Sequence, residues 1–336
     1  MIRRWLIACG AASLALAAPF FVADAAEMTR PFEAQPGLPS LQEAIDALPP
    51  EGGEIRLSPG VYREKVLITK PHVTLRGTGA SAKEVVIAWS DGAVQVGGTF
   101  KTATLEVRGD DFHAENLTVA NDYWLRNTEP SQAVALYITG DRAVVRNVRM
   151  LGSQDTLYAA TRKCEGPDCR ISRQYFRDCY VEGHIDFIFG NSKAFFENCE
   201  IHAIPHDEVM LTAHMRLGPD EDRAYVFDHC RITSEPGVGK LWFGRPWRDY
   251  SRVIFLHTRI DAPLHPEGWR EWTPGTTNRL TTAFYAEYGS TGIGAPRGAR
   301  EPFSMQLSAI EAERWSARHL LSGDDGWAPQ DSRDRR

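Results

Sequence analysis

Two aspartates occupy the same position of a repeated sequence pattern. Asp155 lies eight residues after Asn147, and Asp186 lies eight residues after Asp178, where Asn147 and Asp178 are successive instances of the pattern. If the pattern marks stacked coils, the two carboxyl groups point the same way about 5 Å apart. Carboxylates that close cannot both ionise freely, so one holds a proton near neutral pH. The pair predicts a proton donor beside a carboxylate nucleophile, although each aspartate alone also fits a turn.

Neutral amides and a planar cation accompany the aspartates. The side chains of Gln132 and Gln154 could donate N–H bonds to a developing oxyanion, although an amide ladder along the stack explains them equally well. Arg245 and Trp247 combine a guanidinium with an aromatic face, which suits holding a carboxylate and stacking on a sugar ring. These side chains could stabilise an oxyanion and hold a carboxylate or a sugar ring, but by themselves they do not settle the reaction.

The elements that must position these groups are short strands. The repeat is an aliphatic or aromatic residue, an Asn-like residue two positions later, and an aliphatic residue three positions after that. Its instances are spaced 31, 31, 20, 31 and 28 residues apart, and they centre on Asn116, Asn147, Asp178, Asn198, His229 and His257. Such intervals are too short for a βαβ unit with a long helix and fit single coils of a parallel β-solenoid. The uneven spacing predicts loops on one side that build a binding face.

Helix signals stand near both ends. Residues 40–43 (Ser-Leu-Gln-Glu) form a capping box that begins a helix ending at Leu48, and this helix could cover the first coil. Ser308 and Glu311 form a second capping box, which predicts a helix to Leu321 near the other end. No linker interrupts the chain, so residues 26–336 are expected to form one domain.

The cysteines predict disulfides. Cys179, Cys199 and Cys230 each follow a repeat residue directly, so they share one column with neighbouring Cα atoms at a separation that a disulfide tolerates. Pairing of Cys179 with Cys199 is expected, and pairing of Cys199 with Cys230 is the alternative. Cys164 and Cys169 bracket a turn and are expected to staple a loop. Zinc at that pair is the alternative, but no matching His or Cys pair is nearby, so no metal is expected.

The first residues indicate the compartment. Arg3 and Arg4 precede an uncharged run over residues 5–23, and residues 23–25 (Ala-Asp-Ala) fit a signal-peptidase site. Residues 1–25 are therefore interpreted as a signal peptide of a secreted or periplasmic protein, with an N-terminal membrane anchor as the alternative. No second apolar run has membrane length. Over 336 residues the net charge of −6 argues against nucleic acid as a partner.

Six motifs together resemble the pectin methylesterase (pectinesterase) family. In chain order they are GVYRE at 60–64, QAVAL at 132–136, GSQDTLY at 152–158, DFIFGN at 186–191, GRPW at 244–247 and PEGWREW at 266–272. They follow the family's order, and the resemblance covers about residues 35–330, nearly the whole chain after the signal peptide. With no inhibitory pro-region before residue 35, the resemblance is to the bacterial secreted type.

The resemblance implies a fold, a reaction and residue roles. The fold would be a right-handed parallel β-helix, all-β apart from short capping helices. The reaction would be hydrolysis of the C6 methyl esters of galacturonate units in pectin, without metal or organic cofactor, and we expect a monomer. Asp186 resembles the nucleophile, Asp155 the general acid/base, and Gln132 and Gln154 the oxyanion-side glutamines. The residues that resemble substrate contacts are Arg245, Trp247, Gln132 and Thr99.

Departures from the family pattern leave other functions open. Phe243 stands where Leu is common, and residues 211–216 replace smaller or amide-bearing residues, so the subsite preference stays open. The loop at 159–172 is long and could narrow or extend the cleft. A glycoside hydrolase or lyase on the same solenoid, an esterase for another substrate and a catalytically silent carbohydrate-binding solenoid are the alternatives. The acidic net charge predicts a preference for methyl-rich pectin.

Overall fold

The protein is described by a computed structural model that covers residues 37–162 and 171–331, apart from 296, 297, 299 and 301. The predicted signal peptide and the predicted Cys164–Cys169 disulfide lie outside these residues. Short parallel strands dominate the rest, and their bounds follow in chain order. They are β1 (Gly53–Leu57), β2 (Gly60–Tyr62), β3 (Val66–Ile68), β4 (Val73–Gly77), β5 (Val85–Trp89), β6 (Leu105–Val107), β7 (His113–Asn121), β8 (Leu136–Ile138), β9 (Ala143–Leu151), β10 (Leu157–Ala159), β11 (Arg173–Arg177), β12 (Tyr180–Gly183), β13 (Ile188–Gly190), β14 (Lys193–Glu197), β15 (Glu200–Ala203), β16 (Glu208–His214), β17 (Ala224–Asp228), β18 (Arg231–Ser234), β19 (Lys240–Gly244), β20 (Arg252–Leu256), β21 (Arg259–Ile260), β22 (Phe284–Tyr288) and β23 (Ser304–Gln306).

The strands stack into a parallel β-helix, which confirms the predicted fold class. Strands β3, β6, β8, β10, β13, β16 and β19 form one sheet, called sheet B. The other strands form sheet A, which bends along its length into two limbs. Strands β7 and β9 run through the bend, whereas later coils divide there into two strands, as β11 and β12 do. Up to β19, each coil therefore contributes to all three faces, whereas β22 and β23 continue only one limb of sheet A.

The repeated Asn-like residue forms the bend in sheet A. All six instances have left-handed backbone conformation, with φ between 45° and 57°. Asn, Asp and His adopt this region more readily than most residues, which explains the restricted choice at this position. The side chains also connect coils, because Asn147 Nδ2 donates to Asn116 Oδ1 at 2.9 Å. The sequence repeat thus marks corners as well as strands.

Aromatic side chains fill the middle of the helix. Phe176, Phe196, Phe227 and Phe255 lie in register on successive coils. Their rings stack with centroids 4.5–4.6 Å apart and planes within 10° of parallel. Each ring is fully buried. Rings at this separation remain in contact along the whole stack, so each contributes packing to the coil above and below.

The predicted disulfide between Cys179 and Cys199 is wrong in this structure. Cys179, Cys199 and Cys230 are buried free thiols in one column, as their shared register predicted. In-register parallel strands hold equivalent Cβ atoms about 4.8 Å apart, beyond the Cβ separation usual for a disulfide. The thiols instead donate to carbonyl groups of the preceding coil, Cys179 to Val145 at 3.4 Å and Cys199 to Phe176 at 3.6 Å. The alternative pairing of Cys199 with Cys230 is absent for the same reason.

The first coil is covered as predicted by helix α1 (Leu41–Ala47), whose Leu41 and Ile45 are buried in the core. The Ser40 hydroxyl accepts from the Glu43 N–H at 3.3 Å. A second cap comes from Glu64 in the GVYRE motif, whose carboxylate accepts from the N–H of Leu41 at 2.8 Å. A carboxylate at a helix N-terminus is favourable on charge as well as hydrogen bonding.

The helical segment at the other end differs from the prediction. Instead of one helix it forms α4 (Ala309–Glu313) and α5 (Ala317–Leu321), following the short helices α2 (Ala93–Val96) and α3 (Tyr123–Arg126). The capping box of Ser308 and Glu311 is present. However, this segment packs against the outer face of sheet A, because Leu320 and Leu321 join a cluster with outward-facing residues such as Phe195. No helix in the described residues is long and apolar enough to cross a membrane.

Replacing Phe196 by Ala tests the contribution of the phenylalanine stack. The change opens a cavity between two coils and should lower the free energy of unfolding by about 3–5 kcal/mol. Urea denaturation followed by far-UV circular dichroism measures this change. Phe303→Ala is the control, because that side chain is 40% exposed. Equal destabilisation of the two variants would contradict a packing role for the stack.

Candidate active site

Asp155 and Asp186 lie at equivalent corners of adjacent coils. Each stands two residues before a strand of sheet B, and the pairing of Leu157 with Ile188 places the two aspartates side by side. The Asp155 N–H donates to the Ile185 carbonyl at 3.1 Å. Both aspartates have left-handed φ values, 65° and 52°. The structure therefore contains the aspartate pair that the repeat register predicted.

A glycine three residues before each aspartate allows these corners to pack closely. A Cβ at Gly152 would lie 2.6 Å from Thr156 Oγ1, and a Cβ at Gly183 would lie 2.4 Å from Phe187 Cβ and 2.6 Å from the Ser153 carbonyl oxygen. A side chain at either glycine would force the chain away from the aspartate corner. The glycines in GSQDTLY and before DFIFGN thus have a steric explanation.

Arg245 makes a two-point ion pair with Asp186. Its Nε donates to Oδ1 at 2.9 Å and its Nη2 donates to Oδ2 at 2.7 Å. Arg245 follows β19 directly, and its N–H donates to the Thr212 carbonyl at 3.0 Å, which fixes the start of the side chain. The guanidinium is 18% exposed and the carboxylate 7% exposed, so water screens the pair weakly.

Burial and charge separate the proton affinities of the two aspartates. Burial is the main cause that raises the pKa of Asp155 well above its usual value, and the charge of Asp186 raises it further. Burial also raises the pKa of Asp186, but the hydrogen bonds and charge of Arg245 oppose that rise. A proton shared by the pair therefore resides on Asp155. These opposing effects favour a protonated Asp155 beside an ionised Asp186.

A cleft of about 300 Å³ lies over sheet B around this pair. It brings together all the residues that the sequence predicted for the site. These are Thr99, Gln132, Gln154, Asp155, Asp186, Arg245 and Trp247. Their sequence positions span 149 residues, and the stacking of coils makes them neighbours.

The two glutamines are held by backbone hydrogen bonds between coils. The Gln132 carbonyl accepts from the Ala93 N–H at 2.9 Å, and the Gln154 carbonyl accepts from the Ala133 N–H at 3.1 Å. Both residues line the cleft beside the aspartates. Amide N–H donors in such a position can stabilise negative charge that develops on a bound carbonyl group.

An aromatic row runs along the outer face of sheet B, and its members Phe100, Phe189 and Trp247 line the cleft. Tyr137, Tyr158 and Phe189 lie in register on β8, β10 and β13. The ring centroids of Tyr158 lie 4.7 Å from Tyr137, 4.8 Å from Phe189 and 4.9 Å from Phe100, and Trp247 continues the row 5.9 Å from Phe189. Flat aromatic faces in a row suit stacking against the rings of a sugar chain.

Sequence reasoning missed four residues that line the cleft. They are Phe100, Phe189, Ala213 and Trp272. Phe189 and Trp272 lie within the motifs DFIFGN and PEGWREW, and the alternation of side chains along β13 could have assigned Phe189 to the outer face. Phe100 and Ala213 carry no comparable signal, because their position depends on contacts between coils.

The departures from the family pattern lie mostly in the core. Phe243 is fully buried and stacks on Phe255 with centroids 4.2 Å apart. Within residues 211–216, Leu211 and His214 are buried, whereas Ala213 lines the cleft. Phe243 therefore does not line the groove, because β19 turns this side chain inward. Residues 163–170 of the long loop lie outside the described part, so its effect on the cleft stays a prediction.

One group of potential metal ligands lies outside the cleft. Donor atoms of Asp228, His229 and His257 lie within 4.8 Å of one another at the surface corner of sheet A. The two imidazole rings stack with centroids 4.6 Å apart and planes 25° from parallel. Nδ1 of each histidine lies 2.9 Å from Asp228 Oδ1, so contacts among these three residues account for the cluster. These residues have no part in the chemistry of the cleft.

Comparison with known proteins identifies the family. The pectinesterase family model matches residues 34–324. Pectinesterase QRT1 from Arabidopsis thaliana is 35% identical over 297 residues, which is 85% of this chain and 74% of that protein. Pectin methylesterase from carrot aligns with a TM-score of 0.77 at 28% identity, covering 85% of this chain and 90% of the carrot chain. A solved pectin methylesterase in complex with a hexasaccharide aligns with a TM-score of 0.69 at 27% identity, covering 87% and 94%. A match over most of the chain, together with a shared fold, shows that this protein belongs to the pectinesterase family and is a carboxylic ester hydrolase.

Proposed function

We propose that this pectinesterase removes the C6 methyl ester of galacturonate units with Asp186 as nucleophile and Asp155 as general acid and base. The observation that carries the proposal is the two-point contact of Arg245 with Asp186 beside a second, buried carboxyl group. The contact keeps Asp186 ionised and orients its oxygens. Asp155 holds the proton that a leaving methoxide needs.

In the first half of the reaction, a carboxylate oxygen of Asp186 attacks the ester carbonyl carbon. Negative charge moves to the carbonyl oxygen, where the amides of Gln132 and Gln154 stabilise it. The bond from the carbonyl carbon to the methoxy oxygen then breaks, and Asp155 donates its proton to form methanol. An acyl-enzyme anhydride and an ionised Asp155 remain.

In the second half, water hydrolyses the acyl-enzyme. Asp155 accepts a proton from water while the oxygen attacks the sugar carbonyl carbon. The bond to Asp186 breaks, which restores its carboxylate and leaves a free carboxyl group on the galacturonic acid unit, which stays linked in the pectin chain. Asp155 is again protonated, so both residues return to their starting states and no cofactor is consumed.

Pectin is the substrate that the cleft supports best. The aromatic row offers stacking surfaces for several sugar rings, and Trp247 and Thr99 would contact the unit near the aspartates. A similar solved pectin methylesterase carries a hexasaccharide, which supports an oligosaccharide-length groove here. Gln132 and Arg245 would contact the carboxyl group of the bound unit.

We also propose the setting in which the enzyme works. The charged, then apolar, then small-residue pattern over residues 1–25 supports a signal peptide, and residues 26–336 would form one catalytic domain. The mature protein would be a monomer, secreted or periplasmic, of the bacterial type. N-terminal sequencing of protein recovered from the medium or periplasm tests the cleavage site.

Replacing Asp186 by Asn should abolish methanol release from highly methylated pectin, with a loss of at least about 10³-fold. Asp155→Asn should lower kcat by about 10²–10⁴-fold, because no proton reaches the leaving methoxide. Asp178→Asn is the matched control, since this corner lies outside the cleft and Asn occupies the same corner on other coils. New reducing ends in the wild-type reaction would instead indicate sugar-chain cleavage.

Replacing Arg245 by Gln should move the acid limb of the kcat/KM profile to higher pH by about one to three units. The guanidinium charge opposes protonation of Asp186, so its loss raises the pKa of that carboxyl further. Arg245→Lys keeps the charge and should move the limb less, while losing kcat with the two-point contact. The pH profiles of kcat/KM for both variants and the wild type measure these shifts. An acid limb that does not move in Arg245→Gln would contradict the role assigned to Arg245.

Highly methylated pectin should be hydrolysed with a higher kcat/KM than sparsely methylated pectin. The protein carries a net charge of −6, which repels the free carboxylates of de-esterified stretches. Because this effect is electrostatic, salt should reduce the difference between the two substrates. Activity that rises as methylation falls would contradict the prediction.

A further inference from the structure

A tryptophan that no step of the proposed reaction uses lies against Arg245. The guanidinium carbon of Arg245 lies 4.2 Å from the ring centroid of Trp272. The hydrogen bonds to Asp186 fix the guanidinium in its own plane, and the indole supports its face. A cation over an indole is attracted by the ring and is shielded from water.

A second arginine contacts the same indole and reaches back to the segment that carries Arg245. The guanidinium carbon of Arg279 lies 5.7 Å from the Trp272 ring centroid. Its Nη1 donates to the carbonyls of Pro246 at 3.2 Å and Trp247 at 2.7 Å. Arg279 therefore ties the backbone directly after Arg245 to the ring that supports the guanidinium.

A buried carboxylate fixes the backbone of this support. Glu271 is 7% exposed, and its Oε1 accepts from the Trp272 N–H at 2.8 Å. Its Oε2 accepts from the N–H of Arg279 at 2.9 Å and of Leu280 at 3.1 Å. The Glu271 side chain thus closes the loop at residues 271–280. It fixes the backbone of Trp272, which contacts the Arg245 guanidinium, and of Arg279, which binds the segment after Arg245. Hydrogen bonds to a buried carboxylate are among the stronger ones in proteins.

We propose that Trp272 is a positioning residue that holds the Arg245 guanidinium on Asp186, and that Glu271 and Arg279 keep Trp272 in place. An unsupported arginine has many rotamers, and this one is partly exposed at the cleft. Stacking on Trp272 restricts it to the rotamer that makes the two-point contact. This proposal rests on the proposed function for its catalytic consequence, but the contact itself does not depend on the substrate.

Besides Arg245, the ionisable groups that interact with Asp186 are Asp155, Arg270 and the buried Tyr285. Asp155 lies on the preceding coil, and Arg270 is paired with Glu208 on β16. Neither contact involves the Trp272 ring. Loss of the indole would also expose Asp186, and exposure lowers the pKa that burial raises, so a rise in the pKa of Asp186 after substitution of Trp272 is assigned to Arg245.

The test compares Trp272→Leu with Trp247→Leu, since both tryptophans line the cleft and only Trp272 stacks on Arg245. Trp272→Leu should lower kcat/KM about tenfold on the acid side of the profile and less at higher pH. Trp247→Leu should raise KM without moving the acid limb. Trp272→Phe keeps an aromatic face and should retain most of the kcat/KM that Trp272→Leu loses. If Trp272→Leu raises KM alone, Trp272 is a substrate contact and the proposal is wrong.

A measurement without turnover separates this proposal from the reaction itself. Titration of the Asp186 carboxyl carbon by ¹³C NMR should show a higher pKa in Trp272→Leu than in the wild type and in Trp247→Leu. In an Arg245→Gln background, Trp272→Leu should add little, because the guanidinium it acts through is absent. An unchanged Asp186 titration would overturn the proposal even if methanol release falls. If the Asp186 titration shifts in Trp272→Leu but the wild type releases no methanol, the positioning role of Trp272 stands and the proposed substrate is rejected.

Discussion

Successive coils pair in register, strand directly above strand, and the position of every functional group depends on this pairing. The register holds only if each coil turns at the same place, which is why left-handed corners recur at Asn, Asp and His residues. A second set of corners places Asp155 and Asp186 on neighbouring coils about one strand spacing apart. The same geometry that stacks the core phenylalanines therefore also brings two carboxyl groups together.

Two buried carboxyl groups at this spacing are costly unless one is neutral and the other is paired. The structure meets both conditions, because Arg245 pairs with Asp186 and burial favours the protonated form of Asp155. The resulting asymmetry between acid and carboxylate is what an acyl transfer to Asp186 requires. It also makes the site sensitive to small movements of Arg245, since the guanidinium is the main opposing charge. The loop that carries Trp272 limits such movements.

Two faces of the β-helix, one limb of sheet A and sheet B, differ in what covers them. The outer surface of one limb of sheet A is covered by the C-terminal segment, which Arg173 anchors through Asp325 at 2.8 Å and through contact with Trp327. The outer surface of sheet B is left open, and part of its aromatic row (Phe100, Phe189 and Trp247) lines the cleft. A covered face stabilises the stack by apolar burial, whereas the open face must stay accessible to a polymer. Function lies on the face that folding does not need to cover.

The sequence by itself determined the repeat, the parallel β-helix, the cap at Ser40 and the residues around Asp155 and Asp186, because strand periodicity and corner residues are local signals. Only the tertiary structure decided that Cys179 and Cys199 remain thiols, that Phe243 faces the core, and that the helices after Ser308 pack sideways on sheet A. It also decided that Trp272 supports Arg245. These outcomes depend on distances and directions between side chains on different coils, and such distances are set by packing after the chain has coiled, not by residue type or spacing along it.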